Sequence, residues 1–236
     1  MRVLVTGATG YVGKEAVKSL ALRGHEVVPY DLRQGQDILD RDRLTDAMRG
    51  CEAVVHLAAI PHPDPNKHWE AYWRVNVAGT QQVAEVAAGL GIGRFVYASS
   101  TAYYGAHRGF AFDPGDGVAE EDDNAVQRYG KAWLPEMAPY NEAALAYACS
   151  KVAAETALAA YGMSGRLDVV ILRLCPLIKT RTPYEWGLLL FVEDAGAAVA
   201  GAVELPGSGY DIYNVAGEGV AALNTERWQE CNHGFN

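Results

Sequence analysis

The apolar residues of this chain fall into two alternating kinds of segment. Short, continuous runs rich in β-branched residues predict strands buried on both faces: "VLVTG" (3–7), "EVVPYD" (26–31), "EAVVHLAA" (52–59), "RFVYASS" (94–100) and "LDVVILRL" (167–174). Between them, helical spacing predicts helices over "YVGKEAVKSLALRG" (11–24), "KHWEAYWRVNVAGTQQVAEVAAGLG" (67–91) and "NEAALAYACSKVAAETALAAYG" (141–162). Strand, helix, strand in repetition implies parallel strands joined by right-handed crossovers, an α/β fold with a doubly wound parallel sheet. The stretch from 106 to 139 breaks this rhythm with Gly, Pro and the run Glu120-Glu121-Asp122-Asp123, and reads as a long surface loop with a solvated acidic face.

Composition narrows the function classes. At 236 residues the chain can bury one substantial core with a small appendage. A formal net charge of −9 argues against a nucleic-acid partner, which would need clustered Lys and Arg to neutralise phosphates. No apolar run approaches the roughly 20 residues needed to cross a bilayer, so no membrane partner is expected. "RVLVTG" follows Met1 directly and leaves no space for a signal peptide. The four cysteines form no CxxC pair or regular framework, which points to a reducing cytoplasm. His56, His62 and His68 lack ligand spacing, so no metal is expected.

The chemistry begins at "TGATGYVG", which follows the first strand and opens a helix. In that context Gly7 permits a tight turn, Gly10 lets the backbone approach a pyrophosphate, and Gly13 lets helix pack closely on strand. The helix N-terminus then faces the anion. Asp31 closes the second strand 18 residues after Gly13, where a carboxylate accepts from ribose hydroxyls and repels a 2′-phosphate. That favours NAD. Arg33, two residues on, could accommodate the phosphate, so NADP stays open. Tyr147 and Lys151 stand four apart and share a helix face. Making a tyrosine a base near pH 7 needs about 4 kcal/mol, and one positive charge about 4 Å away contributes a similar amount at an effective dielectric near 20. Ser99 and Ser100 end a parallel strand, at the edge where such sheets bind ligands.

With these residues assembled, the chain resembles the short-chain dehydrogenase/reductase superfamily in its extended NAD-dependent epimerase/dehydratase branch. The resemblance covers about residues 1 to 175 and rests on six motifs in order: "TGATGYVG", "QDILD" (36–40), "VVHLAA" (54–59), "NVAGT" (76–80), "SSTAYYG" (99–105) and "YACSK" (147–151). It implies a Rossmann fold in which Gly7, Thr9, Gly10, Tyr11, Val12 and Gly13 hold the cofactor. It further implies Asp31 and Arg33 at the adenosine ribose, Asp37 and Ile38 at the adenine, and Leu57, Ala58 and Ala59 beneath the dinucleotide, with Asn76 nearby. By the same resemblance Tyr147 is the general acid/base, Lys151 lowers its pKa and binds the nicotinamide ribose, and Ser100 orients the substrate oxygen. Thr101, Tyr103 and His62 would border the substrate, with Tyr104 beside them. The helices over 67–91 and 141–162 would build a homodimer, with Trp69, Tyr72 and Trp73 in packing or interface positions.

The pattern thins after Arg173, where 63 residues follow. Residues 1–175 are expected to form the NAD-binding unit with the catalytic residues, and 176–236 a compact, shortened substrate-binding part interleaved with the last strand. "FVEDAGAAVAGAVE" (191–204) resembles the branch's helix there, and "YDIYNVAGEG" (210–219) its last strand. "CPLIKTRTPYEW" (175–186) resembles compact uronate dehydrogenases, with Arg181 as a carboxylate partner. The implied activity is hydride transfer between NAD and a hydroxyl or carbonyl carbon of a small sugar, uronate or related alcohol. The alternatives are a nucleotide-sugar epimerase or dehydratase that retains its NAD, and a dinucleotide-sensing protein without turnover.

Overall fold

The computed structural model describes residues 1–64, 66–103, 142–178, 190–207 and 209–216. The strands are β1 (Arg2–Thr6), β2 (Glu26–Tyr30), β3 (Ala53–His56), β4 (Arg94–Ser100), β5 (Asp168–Leu174), β6 (Leu177–Ile178), β7 (Leu190–Phe191) and β8 (Tyr210–Val215). The helices are α1 (Tyr11–Leu22), α2 (Arg41–Met48), α3 (Trp69–Tyr72), α4 (Thr80–Gly89), α5 (Glu142–Met163) and α6 (Val192–Glu204). A π-helical stretch, Trp73–Gly79, joins α3 to α4 without a break.

Six strands form one parallel sheet in the order β2-β1-β3-β4-β5-β8, and β6 and β7 pair separately. Adjacent residues on each strand serve opposite cores, as a period of two requires. Leu4, Val54, Phe95, Tyr97, Val169 and Ile171 pack with α2, α4 and α5. Val3, Val5, Val55, Val96, Val170 and Leu172 pack with α1 and α6. Both faces are covered, which explains why the strands read as unbroken apolar runs. The approach of α6 to α1 is close: a Cβ on Gly196 would come within 2.6 Å of the Glu15 backbone.

Chain order reverses between β1 and β3, and such a switch point opens a crevice at the carboxyl ends of the strands. The register aligns Thr6 with His56, His56 with Tyr97, and Ser100 with Leu174. The ends of β1, β3 and β4 therefore deliver their next residues to one rim. After residue 175 the chain adds α6 to one face and β8 to the sheet edge, so it interleaves with the preceding part.

Candidate active site

At the first strand end, Gly7 has φ +68, and a Cβ there would lie 2.8 Å from Ala58 N. A Cβ on Gly13 would fall 2.1 Å from the Gly7 carbonyl oxygen. The turn therefore needs glycine at both places. Gly10 donates to the Gly7 carbonyl and stands as N-cap of α1, so no side chain caps that helix. An uncapped helix N-terminus at a glycine turn suits an anion. Thr9 Oγ1, buried beside the Asp31 carboxylate, is a further polar atom in this cradle.

Asp31 sits opposite. Its Oδ2 accepts from Thr9 N at 2.9 Å and its Oδ1 from Arg33 N at 2.9 Å. Burial pushes this carboxyl up, but the N–H groups of Arg33 and Thr9 outweigh it and leave the group below its ordinary value. Arg33 reaches back to the Thr9 carbonyl at 3.0 Å, so it flanks the carboxylate. Asp37 lies across the end of β2, its carbonyl accepting from the Tyr30 hydroxyl at 2.8 Å. Leu57, Ala58 and Ala59 are half-buried at the end of β3, with Leu57 N and Ala58 N donating to Thr6 Oγ1.

At the end of β4 the two serines separate. Ser99 is buried and donates to Glu155, away from the rim. Ser100 Oγ accepts from Ala102 N at 3.1 Å and lies beside the Tyr147 hydroxyl, favouring its ionised form. Tyr147 is packed edge-on against Tyr72, with ring centroids 6.4 Å apart. Lys151, one turn along α5, is 4 % exposed and donates to Ala98 O at 2.9 Å and Tyr97 Oη at 3.3 Å. Its Nζ lies 5.9 Å from the Tyr147 ring centroid. Burial pulls Lys151 down to about 8, partly offset by Glu155.

Burial also raises Tyr147, with Tyr72 adding and Ser100 opposing. An acceptor brought to the Lys151 amine would stabilise the ammonium, and a charge there favours the Tyr147 phenolate.

Three of the residues expected at the ligand are buried in this structure. Asn76 is fully buried: Oδ1 accepts from Ile60 N, while Nδ2 donates to Ile60 O and Ser150 Oγ. It braces the segment after β3 against α5. Thr101 is buried, its N–H donating to Leu174 O at 3.0 Å and its hydroxyl directed to the same oxygen, so it closes the β4–β5 edge. The Ile38 side chain lies in the core, packed beneath Gly79. His62 is exposed at the rim, with Nδ1 against Pro63 O, and its carbonyl accepts from the Tyr72 hydroxyl. Trp69 and Trp73 stack at 5.4 Å. Arg181, Tyr104, the acidic run at 120–123 and the tail beyond 216 lie outside the described residues.

Sequence reasoning missed the polar groups under the site. Glu155 holds Arg173 through Nη2 at 2.7 Å and Nε at 3.1 Å, and Tyr103 covers the guanidinium face at 3.5 Å. A Glu four residues after Lys151 and an Arg inside a buried strand were the available signals. His56 is fully buried, with Nδ1 2.7 Å from Thr6 Oγ1 and Nε2 2.9 Å from Thr80 Oγ1. Burial and the nearby Lys151 push it down to about 3.

Residues 3–183 match the NAD dependent epimerase/dehydratase family. The sequence is 42% identical over 106 residues to L-arabinose 1-dehydrogenase (NAD(P)(+)) of Haloferax volcanii, covering 42% of this chain and 41% of that protein. It is 30% identical over 187 residues to UDP-glucose 4-epimerase of Vibrio cholerae, covering 72% and 50%. Each match spans no more than half of the relative. Among solved structures, MoeE5 in complex with UDP-glucose and NAD superposes with a TM-score of 0.69 at 26% identity, covering 92% of this chain and 76% of the other.

Proposed function

Since this chain belongs to the NAD-dependent epimerase/dehydratase family, we propose that it is an NAD-dependent oxidoreductase acting on a hydroxyl or carbonyl carbon of a small sugar, uronate or related alcohol. One observation carries the reading. The Ser100–Tyr147 hydroxyl pair and the Lys151 amine stand on the same sheet rim as the glycine turn.

The cradle fits a dinucleotide. Gly7, Thr9, Gly10, Tyr11, Val12 and Gly13 would hold its pyrophosphate, Asp31 and Arg33 its adenosine ribose, Asp37 its adenine edge, and Leu57 to Ala59 its underside. Lys151 would meet the nicotinamide ribose. When bound, NAD supplies the hydride acceptor. Asp31 favours NAD, and Arg33 beside it leaves NADP as a second substrate of lower preference.

In the oxidative direction Ser100 orients the substrate hydroxyl and Tyr147, as phenolate, takes its proton while the carbon gives up hydride. Protonated Lys151 favours that phenolate. In the reductive direction Tyr147 returns the proton to the carbonyl oxygen. Tyr103 and His62 would border the substrate. The reading extends to a homodimer formed through α3, α4 and α5, with Trp73 41% exposed on that surface. It also places the protein in the cytoplasm, in keeping with Cys51, Cys149 and Cys175 as free thiols. Among the described residues no helix is long and apolar enough to cross a membrane.

The test incubates purified protein with NAD and a panel of uronates, aldoses and simple alcohols, following NADH absorbance. The reading expects a signal that falls at least 100-fold in Tyr147→Phe, which keeps the ring and removes the proton carrier. Equal rates in both proteins would overturn it. The longer match to the Vibrio cholerae epimerase supports a second reading, an internal redox cycle on a nucleotide-sugar. Cofactor retained through purification, with no net NADH formed, would select it.

A further inference from the structure

Behind the catalytic face, a chain of buried side chains leads from the glycine turn to Lys151. Thr6 Oγ1 accepts from Leu57 N and Ala58 N at 3.2 Å each, so its own proton goes to His56 Nδ1. That fixes His56 as the tautomer protonated on Nε2. Nε2–H then donates to Thr80 Oγ1, whose proton goes to Asn76 O at 2.6 Å. Thr80 Oγ1 is thereby left only acceptor capacity toward the neighbouring Tyr97 hydroxyl. The Tyr97 oxygen in turn accepts from Lys151 Nζ at 3.3 Å.

The ring of Tyr97 is fixed as firmly as its hydroxyl. It is 1 % exposed, stacks on His56 at 5.7 Å with planes 26° apart, and lies under the Lys151 ammonium, 4.8 Å from Nζ to centroid. The phenol stays neutral, because burial pushes it well above its ordinary value. The titratable groups facing Lys151 are Tyr97 from β4, His56 from β3, and Tyr147 and Glu155 from its own helix. Tyr97 alone of these gives the ammonium both a hydrogen bond and a ring face. With Ala98 O it occupies two of the three N–H directions and leaves one for the crevice.

We infer that Tyr97 is a positioning residue for Lys151: its hydroxyl, on a ring stacked against His56 beneath the glycine turn, aims the amine at the crevice. The inference rests on the proposed role of Lys151, but its geometry exists without cofactor and can be tested so. The decisive variant is Tyr97→Phe, which keeps the ring and deletes only the hydroxyl.

Ligand-free wild-type and variant proteins would be labelled briefly with acetic anhydride at fixed pH, and Lys151 acetylation read by mass spectrometry against the exposed Lys14 and Lys18. Losing one hydrogen bond to a charged group should raise Lys151 labelling about tenfold, with Lys14 and Lys18 unchanged. NADH titrations of the same proteins should show about tenfold weaker binding to the variant. Unchanged Lys151 labelling in Tyr97→Phe would overturn the inference. So would a rise shared equally by Lys14 and Lys18, since that marks general loosening. Failure of wild-type protein to bind NADH would sink the proposed function and leave the labelling result to decide on Tyr97.

Discussion

Lys151 carries a cost that its removal should reveal. Its amine is buried on α5 and titrates near 8, against an ordinary value of 10.5. Below pH 8 the folded state must hold an ammonium in the interior, whereas the unfolded chain keeps it in water. At about 1.4 kcal/mol per pH unit, the difference between 10.5 and about 8 corresponds to about 3 kcal/mol of destabilisation. Lys151→Met removes the charge and keeps most of the volume, at the expense of the hydrogen bonds to Ala98 O and Tyr97 Oη, worth about 1 kcal/mol each. The net expectation is a variant about 1 kcal/mol more stable at pH 7, melting about 2–4 °C higher, and inactive. The pH dependence is specific. Between about 8 and 10.5 the unfolded chain binds the extra proton, so wild-type stability rises with pH through that window and the gap to the variant closes. Calorimetry of both proteins from pH 6 to 10.5 checks it. A variant that melts lower at pH 7, or a gap that stays constant above pH 8, would refute the reasoning.

Two more outcomes follow from buried contacts. Glu155→Gln leaves the Arg173 guanidinium buried with a neutral partner and should cost about 3–5 kcal/mol in urea unfolding, while the E155M/R173M double variant recovers much of the loss. Additive losses in the double variant would count against a paired role. Gly13→Ala forces a Cβ onto the Gly7 carbonyl oxygen, so it should destabilise the fold by about 1–3 kcal/mol and weaken NADH binding at least tenfold, measured by fluorescence titration. Wild-type affinity in that variant would mean the turn is not the cofactor cradle.

The sheet was legible because its signal is local. Runs such as "AVVH" and "VVILRL" have one meaning when both faces are covered, and their order dictates a parallel sheet. The glycine turn was legible for the same reason: Gly7 and Gly13 serve backbone positions that their spacing encodes. Helix α2 went unnamed, since eight residues carrying only Leu44 and Met48 as buried contacts give little periodicity. The supporting polar groups were illegible because their partners are remote in sequence. Nothing near His56 says that Thr6 and Thr80 bracket it, and nothing near Asn76 says that its amide faces Ser150. Thr101 and Asn76 followed the motif but turned inward, because each fills a hydrogen bond that burial demands.

The π-helical stretch Trp73–Gly79 has a consequence for how this molecule tolerates insertion and deletion. An α-helix turns about 100° per residue, and a wider turn accommodates an added residue without breaking the rod. Here the wider turn lies between two appointments that must both be kept. Upstream, Tyr72 meets Tyr147 and the loop at His62; downstream, Thr80 meets His56. Tightening 73–79 to ordinary pitch at unchanged length would rotate one appointment away from the other by about 100°, whereas deleting one residue together with that tightening would keep both. The segment works as a phase shifter between the two ends of one rod, so its pitch and its length can change only together.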